Sequence, residues 1–280
     1  MNNFKPYFDA NKAWVNLSTR LSNEGLLPKT TASGLTLTYI PYLKIAASFA
    51  IVVTTVALVY ILSKSNDSEM TFVANTVPDQ TLVKTLGDGS VVYLAGNSSI
   101  TFSDDYNQSK RLLKLDGEAF FEVVFNATLP FVVEMNHAKV EVLGTSFRLK
   151  NFSGQDIELV VESGKVGFAS TNDPQNSILV EKGQKLVFDG RSSKKYPSIG
   201  NTVWRDKHLH FSNEKLSDIL SVISRNLEVN ISIADPSVAQ RQLTVTFFNN
   251  TPTEIISIIS EYYNLNAKFV DETNIVLSRK

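Results

Sequence analysis

The sequence predicts a multi-domain membrane protein: a single transmembrane helix, then an all-β domain, then a small α+β domain of two βαβ-like halves. Three observations carry this. A run of 19 uncharged residues lies between Lys44 and Lys64. Apolar and polar residues alternate with period two from about Thr71 to Gly190. An internal repeat, offset by 36 positions, fills the last part of the chain. The implied boundaries are a short tail over 1–44, the span over 45–63, the β domain over 64–190, a linker over 191–202 and the C-terminal domain over 203–280.

The tail holds one expected helix, from about Asp9 to Asn23. Asp9 is placed to cap it, and Trp14, Leu17 and Leu21 recur at i, i+3 and i+7 on one face. A helix of about 15 residues is marginal alone in water, so that stripe calls for a partner, either a protein or a membrane surface. Trp14, Leu17 and Leu21 are therefore the candidate binding residues. Residues 26–43 read as linker, since Pro28, Gly34 and Pro41 interrupt any period.

The span, "IAASFAIVVTTVALVYILS", carries no charge and only Ser48, Thr54 and Thr55 as clearly polar residues before its last position. At 1.5 Å per residue it covers roughly 28 Å, the thickness of a bilayer's hydrocarbon core. It begins too late and runs too long for a secretory signal, and no small-residue cleavage pattern follows. Residues 1–44 contain Lys5, Lys12, Arg20, Lys29 and Lys44 against Asp9 and Glu24, whereas Lys64 is followed by Asp67, Glu69 and Asp79. Basic residues resist translocation, so the N-terminus is expected in the cytoplasm and the bulk outside it.

Beyond the span, "KVEVL" and "DIELVVES" alternate strictly, which sends successive side chains to opposite faces of a half-buried sheet. Asp88-Gly89, Asp116-Gly117, Gly144, Ser163-Gly164 and Lys182-Gly183 punctuate these runs as turns. Asp-Gly between apolar runs is a strong hairpin signal. Short strands at this spacing predict an all-β domain. Residues 191–202 are polar and contain Pro197 and Gly200, hence the linker.

In the C-terminal domain, moving Phe211–Ile231 by 36 positions lays Phe211 on Phe247, Asn213 on Asn249, Ile223 on Ile259 and Asn230 on Asn266. Each copy reads strand, helix, strand. One helix is expected to bury Leu216, Ile219, Leu220 and Ile223, and the other Ile255, Ile256, Ile259, Tyr262 and Tyr263. Thr251-Pro252-Thr253-Glu254 is a capping box with proline at the first helical position.

Composition excludes several classes of chemistry. There are 27 basic and 28 acidic residues, giving a net charge of −1, so no electrostatic footprint for nucleic acid is expected. The absence of cysteine rules out disulfides, thiolate catalysis and cysteine-ligated metals. His208 and His210 share a strand face but have no carboxylate or third histidine at ligand spacing, and His137 stands alone in an expected turn. Asp104 and Asp105 are adjacent, so on an extended chain they point apart. No nucleophile elbow, phosphate loop or zinc-protease motif occurs. The chain is expected to be a non-enzyme without metal or cofactor.

Several segments in order resemble the FecR family: "LGDGSVVYLAGNSSITF", "LKLDGEAFFEV", "PFVV", "VEVLGTSFRL", "VVESGKVGF" and "LVEKGQKL". "VWRDKHLHFSNEKLSDIL" resembles the small C-terminal domain of the Bacteroidota-type branch, and "FDANKAWVNLSTRL" resembles the segment those proteins carry ahead of the span. The resemblance implies a single-pass inner-membrane anti-sigma regulator of an extracytoplasmic-function sigma factor, with its N-terminus cytoplasmic and its C-terminus periplasmic. It further implies a signal from the N-terminal signalling domain of a TonB-dependent outer-membrane receptor. Release of the sigma factor by envelope proteases, ending inside the membrane, is implied as well. The C-terminal domain is implied to share the fold of the secretin/TonB short N-terminal domain. Gly87 departs from the usual proline and Ala95-Gly96 from the usual asparagine. Family members generally carry a further helical anti-sigma domain upstream, where this chain has 44 residues. Either the stripe of Trp14, Leu17 and Leu21 suffices, the true start lies upstream, or the chain is a tethered periplasmic sensing module that has lost sigma binding.

Overall fold

A computed structural model describes residues 9–26, 50–58 and 70–280, apart from 104, 109, 199–207 and 272. The chain divides into two compact units, Met1–Asn66 and Asp67–Lys280.

In the first unit, α1 (Ala10–Asn23) forms where the heptad-like stripe predicts it. The Asp9 carboxylate accepts from Asn11 N at 3.1 Å and Lys12 N at 3.2 Å, and α1 buries none of its residues. Residues 50–58 are helical (α2), while the rest of the expected span and most of the expected linker over 26–43 lie outside the described residues. No helix among the described residues is long and apolar enough to cross a membrane. Within α2 the polar groups turn inward on the helix itself: Thr54 Oγ1 donates to Ala50 O at 2.8 Å and Thr55 Oγ1 to Ile51 O at 2.8 Å.

The second unit is a β-sandwich with a helical cover. Its strands up to the C-terminal region are β1 (Met70–Asn75), β2 (Thr81–Thr85), β3 (Val91–Leu94), β4 (Ser98–Ser103), β5 (Arg111–Glu122), β6 (Phe131–Glu134) and β7 (Ala138–Val142). They continue with β8 (Ser146–Asn151), β9 (Ile157–Ser163), β10 (Lys165–Ser170), β11 (Asp173–Glu181), β12 (Gln184–Phe188) and β13 (Ser193–Pro197). One sheet runs β1-β4-β5-β6-β7-β10-β11. The other runs β13-β12-β9-β8-β5-β3-β2 and is continued by the C-terminal region.

β5 belongs to both sheets. Lys114 and Leu115 pair with β4, whereas Ala119–Glu122 pair with β3 and β8. The strand bends at Gly117, whose φ is 105° and where a Cβ would lie 2.3 Å from Ser98 Oγ. Asp116-Gly117 is thus a mid-strand corner and not the expected hairpin turn. Glycine is needed there for the fold angle and for the close approach. Ser163-Gly164 and Lys182-Gly183 are turns, but each carries the chain from one sheet to the other, since β9 does not pair with β10, nor β11 with β12. Of the turns expected from the sequence, Asp88-Gly89 makes a hairpin, joining β2 to β3 with Gly89 at φ 81° and Leu86 N donating to Ser90 O at 2.8 Å.

Between the sheets Ile100, Leu113, Phe121, Phe131, Phe147, Leu159, Phe168 and Leu186 form a closed core. Phe121 stacks on Phe147 at 5.0 Å and meets Phe131 edge-on at 5.9 Å.

The C-terminal region comprises β14 (His208–Lys215), α3 (Leu216–Asn226), β15 (Asn230–Ile233), α4 (Pro236–Ala239), β16 (Gln242–Phe248), α5 (Pro252–Tyr263), β17 (Leu265–Phe269) and β18 (Asn274–Arg279). The repeat is written into its backbone. Asn213 and Asn249 both take left-handed φ, 55° and 51°, as do Glu228 and Asn264 at 54° each. Each pair is 36 positions apart, so α3 and α5 start and stop at equivalent points. The Thr251–Glu254 capping box is formed, with Pro252 opening α5. The expected face of α3 is buried. On α5, Ile255, Ile256 and Ile259 are buried, but Tyr262 is 66% exposed, while Tyr263 packs on the core and donates to Gln242 O at 3.0 Å.

Two expected boundaries differ from the structure. Residues 191–202 contain β13, which pairs with β12 along its whole length, because β12 offers an edge on which a terminal proline is tolerated. The C-terminal region is also joined to the sandwich directly. β14 pairs in parallel with β2, Leu209 with Thr81 and Phe211 with Val83, and β16 extends the sheet. β3 reads as a continuous apolar run because both of its faces are covered, and β2 buries Leu82 and Val83 on opposite faces. Leu82, Val92 and Leu94 face the sandwich core, while Val83, Val91, Tyr93 and Phe120 join Leu216, Leu220, Ile223 and Ile256 in a second core. Where no helix covers the same face, it is charged: Arg148 pairs with Glu118 at 2.9 Å and Lys185 with Glu158 at 2.7 Å.

Candidate partner-binding surfaces

Three surfaces present chemistry to a partner. The first is α1. Asp9 caps it, Arg20 sits in its last turn, and the face chosen from the sequence stays uncovered within its unit: Trp14 is 67% exposed and Leu17 48%, with Leu21 half-buried. An amphipathic helix whose apolar stripe is largely uncovered among the described residues has the form in which a helix docks in a partner's groove.

The second is the free strand edges of the C-terminal region. Among the described residues β16 ends the large sheet, and β15 and β17 flank β18 in the order β15-β18-β17. Unpaired backbone along such edges can accept a strand from another chain. α5 adds Ile258 and Tyr262 as exposed apolar side chains, with Tyr262 edge-on to Tyr263 at 4.9 Å.

The third is the seam where β14 meets β2. Lys84 Nζ donates to Glu214 Oε1 at 2.6 Å, and Glu214 is buried. Burial pushes the Glu214 carboxyl above its ordinary range, and the lysine beside it pulls it back. Tyr93 OH donates to Asn226 Oδ1 at 3.2 Å and Arg225 pairs with Glu122 at 3.3 Å. The seam fixes the C-terminal region on the sandwich with strand pairing, charge and shared core together.

His208 serves this seam, and His210 the neighbouring pairing of β14 with β16. His208 Nδ1 donates to Asp79 O at 2.6 Å and its ring stacks on Phe248 at 3.8 Å. His210 Nδ1 pairs with Thr246 Oγ1 at 2.8 Å, and burial holds its pKa down. His137 lies in the turn between β6 and β7. Asp105 sits in the loop after β4, while Asp104 is outside the described residues. Among the described residues no three of His, Asp or Glu gather as a metal site.

Sequence reasoning missed Arg111, the largest fully buried side chain. It bonds Asp88 at 3.0 Å and donates to Leu129 O at 2.7 Å and Val124 O at 2.8 Å, and it lies over the Phe131 ring at 5.7 Å. Its partners are up to 32 residues away, so no local pattern marks it.

Two family models match the chain in order: one described as FecR protein over residues 73–167, and one described as FecR, C-terminal, over residues 208–277. No curated protein matches significantly. Among solved structures, a 2.50 Å crystal structure of a proposed anti-sigma factor from Parabacteroides distasonis aligns with a TM-score of 0.46. That match has 22% identity and covers 76% of this chain and 100% of that one. A 1.65 Å structure of a proposed anti-sigma factor from the same organism aligns with a TM-score of 0.45 and 23% identity, covering 75% of this chain and 99% of that one.

Proposed function

The chain belongs to the FecR family of anti-sigma regulators, and from that membership we propose that it is a single-pass inner-membrane protein controlling an extracytoplasmic-function sigma factor. The observation that carries this reading is the ordered match of both FecR models, one over residues 73–167 of the sandwich and one over residues 208–277 of its C-terminal cover. In this reading the N-terminus is cytoplasmic, α1 contacts the sigma factor, and the second unit stands in the periplasm. There it receives the signalling domain of a TonB-dependent outer-membrane receptor, and envelope proteases release the sigma factor.

Features of the structure support each part. α2 carries Ile51, Val52, Val53, Val56 and Leu58 exposed around its circumference, with its threonine hydroxyls bonded to its own carbonyls, a surface suited to lipid. The uncovered stripe of α1 suits a protein groove. The free edges of β15, β16 and β17 suit strand addition by a receptor domain. The family is regulatory, which agrees with a sequence that offers no catalytic constellation.

Affinity capture of the full-length protein from detergent-solubilised membranes tests the proposal. A sigma factor should be recovered with the natural sequence and lost with Leu17→Asp, while the unfolding of the second unit is unchanged. Recovery of none with the natural sequence would point instead to a tethered envelope module.

A further inference from the structure

After β5 the chain reads Val123-Val124-Phe125-Asn126-Ala127-Thr128-Leu129-Pro130, a mostly apolar loop at one end of the sandwich. Its backbone is held from beneath. Arg111 donates to the carbonyls of Val124 and Leu129, and at 3.5 and 3.4 Å to those of Asn126 and Leu143. The Asn126 side chain accepts from Thr128 N at 3.0 Å and Leu129 N at 3.1 Å. Gly144 admits the loop closely, since a Cβ there would lie 2.6 Å from Phe125 Cα. Yet the side chains above this support face outward: Phe125 is 72% exposed, Val124 44% and Leu143 42%. A backbone pinned this way cannot fold its aromatic ring back into the core, so an apolar tip is maintained at the cost of a buried charge.

The register locates the chain's entry at the same end. Met70 pairs with Ser103 and Phe102 with Leu113, while Arg111 pairs with Phe131 and Phe131 with Val142. β1 therefore runs away from the end that carries Arg111, the 123–130 loop and Leu143. Only residues 65–69 separate Met70 from Lys64, so this end lies within about 20 Å of the proposed span's outer limit even with that tether fully extended.

We infer that this end of the sandwich docks on the bilayer, with Phe125 flanked by Val124 and Leu143 inserted among the lipid headgroups. The inference rests on the span proposed above. Charges at this end are mixed, and Lys165 is already paired with Glu181 at 2.8 Å, so insertion is apolar and insensitive to anionic lipid.

The absence of native cysteine makes the test clean. Full-length protein in phosphatidylcholine nanodiscs carries one fluorescent thiol label at Ala127→Cys, at Gln155→Cys on the opposite end, or at Val56→Cys within the proposed span. Nitroxide lipids serve as quenchers. The Ala127 label should lose about half its emission, the Gln155 label essentially none, and adding Phe125→Asp should restore the Ala127 signal. An Ala127 label that is unquenched while the Val56 label is quenched overturns the docking and leaves the span intact. Quenching at Ala127 that survives Phe125→Asp also overturns it, because the tether alone then explains the proximity. If the Val56 label is unquenched too, the span falls and the docking with it.

Discussion

Arg111 and Asp88 form a charged pair inside an otherwise apolar sandwich, with side chains 1% and 6% exposed. Such a pair is costly to assemble and costlier to break, because the remaining partner is left charged and dry. Arg111→Met should lower the unfolding free energy by about 3–5 kcal/mol, read from urea denaturation of the full chain. The same residue shows a limit of sequence reading. "GDGS" was legible as a turn, and the turn is there, but its aspartate also serves an arginine 23 positions on, which no local pattern reveals. Asp271 acts in the opposite regime, fully at the surface. Backbone N–H groups of Thr273 and Asn274, with the Asn274 side chain, hold its carboxyl down at about 2. A depressed folded-state pKa contributes stability above the ordinary carboxyl value, and that contribution is lost as pH falls through about 2. Protection of the β17 and β18 amides, taken relative to the intrinsic exchange rate at each pH, should therefore fall between pH 4 and pH 2, and Asp271→Asn should flatten that dependence.

Among the elements, those set by local signals were the most legible. α1 has its Asp9 cap, α5 its capping box, and the C-terminal halves their repeat, down to left-handed asparagines at equivalent positions. Elements set by distant partners were not. Gly117 reads as a turn in sequence but bends one long strand between two sheets, a role fixed by Ser98 lying against it. β13 exists because β12 offers it an edge. Tyr262 matches the apolar period of α5 but stays exposed, while Tyr263 beside it reaches Gln242 O of β16 at 3.0 Å. The pairing of β14 with β2 is the element contact most open to a single substitution. Lys84→Met leaves the buried Glu214 without its partner and should cost about 1–3 kcal/mol. It should also raise amide exchange across Leu209–Phe211.

At the scale of the whole molecule, the sequence separates a β domain from a C-terminal domain, whereas Asp67–Lys280 is one compact unit. Periodicity locates strands but is silent on which faces are covered twice. The uninterrupted "VVYL" of β3 was the available signal, since alternating strands are half-exposed and continuous ones are buried on both sides. Because Val83, Val91, Tyr93 and Phe120 lie in the core that α3 and α5 complete, the sandwich and its cover should unfold together. Amides of β3 and α3 are expected to share one urea midpoint in hydrogen exchange; two separated midpoints would mean independent domains. The proposed topology requires Asn23 and Gln155 to lie on opposite sides of a membrane, and thiol labelling in spheroplasts measures that directly. With single cysteines at Asn23 and Gln155 of the full-length chain, an impermeant reagent should label Gln155→Cys in intact spheroplasts and Asn23→Cys only after permeabilisation. Equal labelling of both positions, or the reverse order, would contradict it.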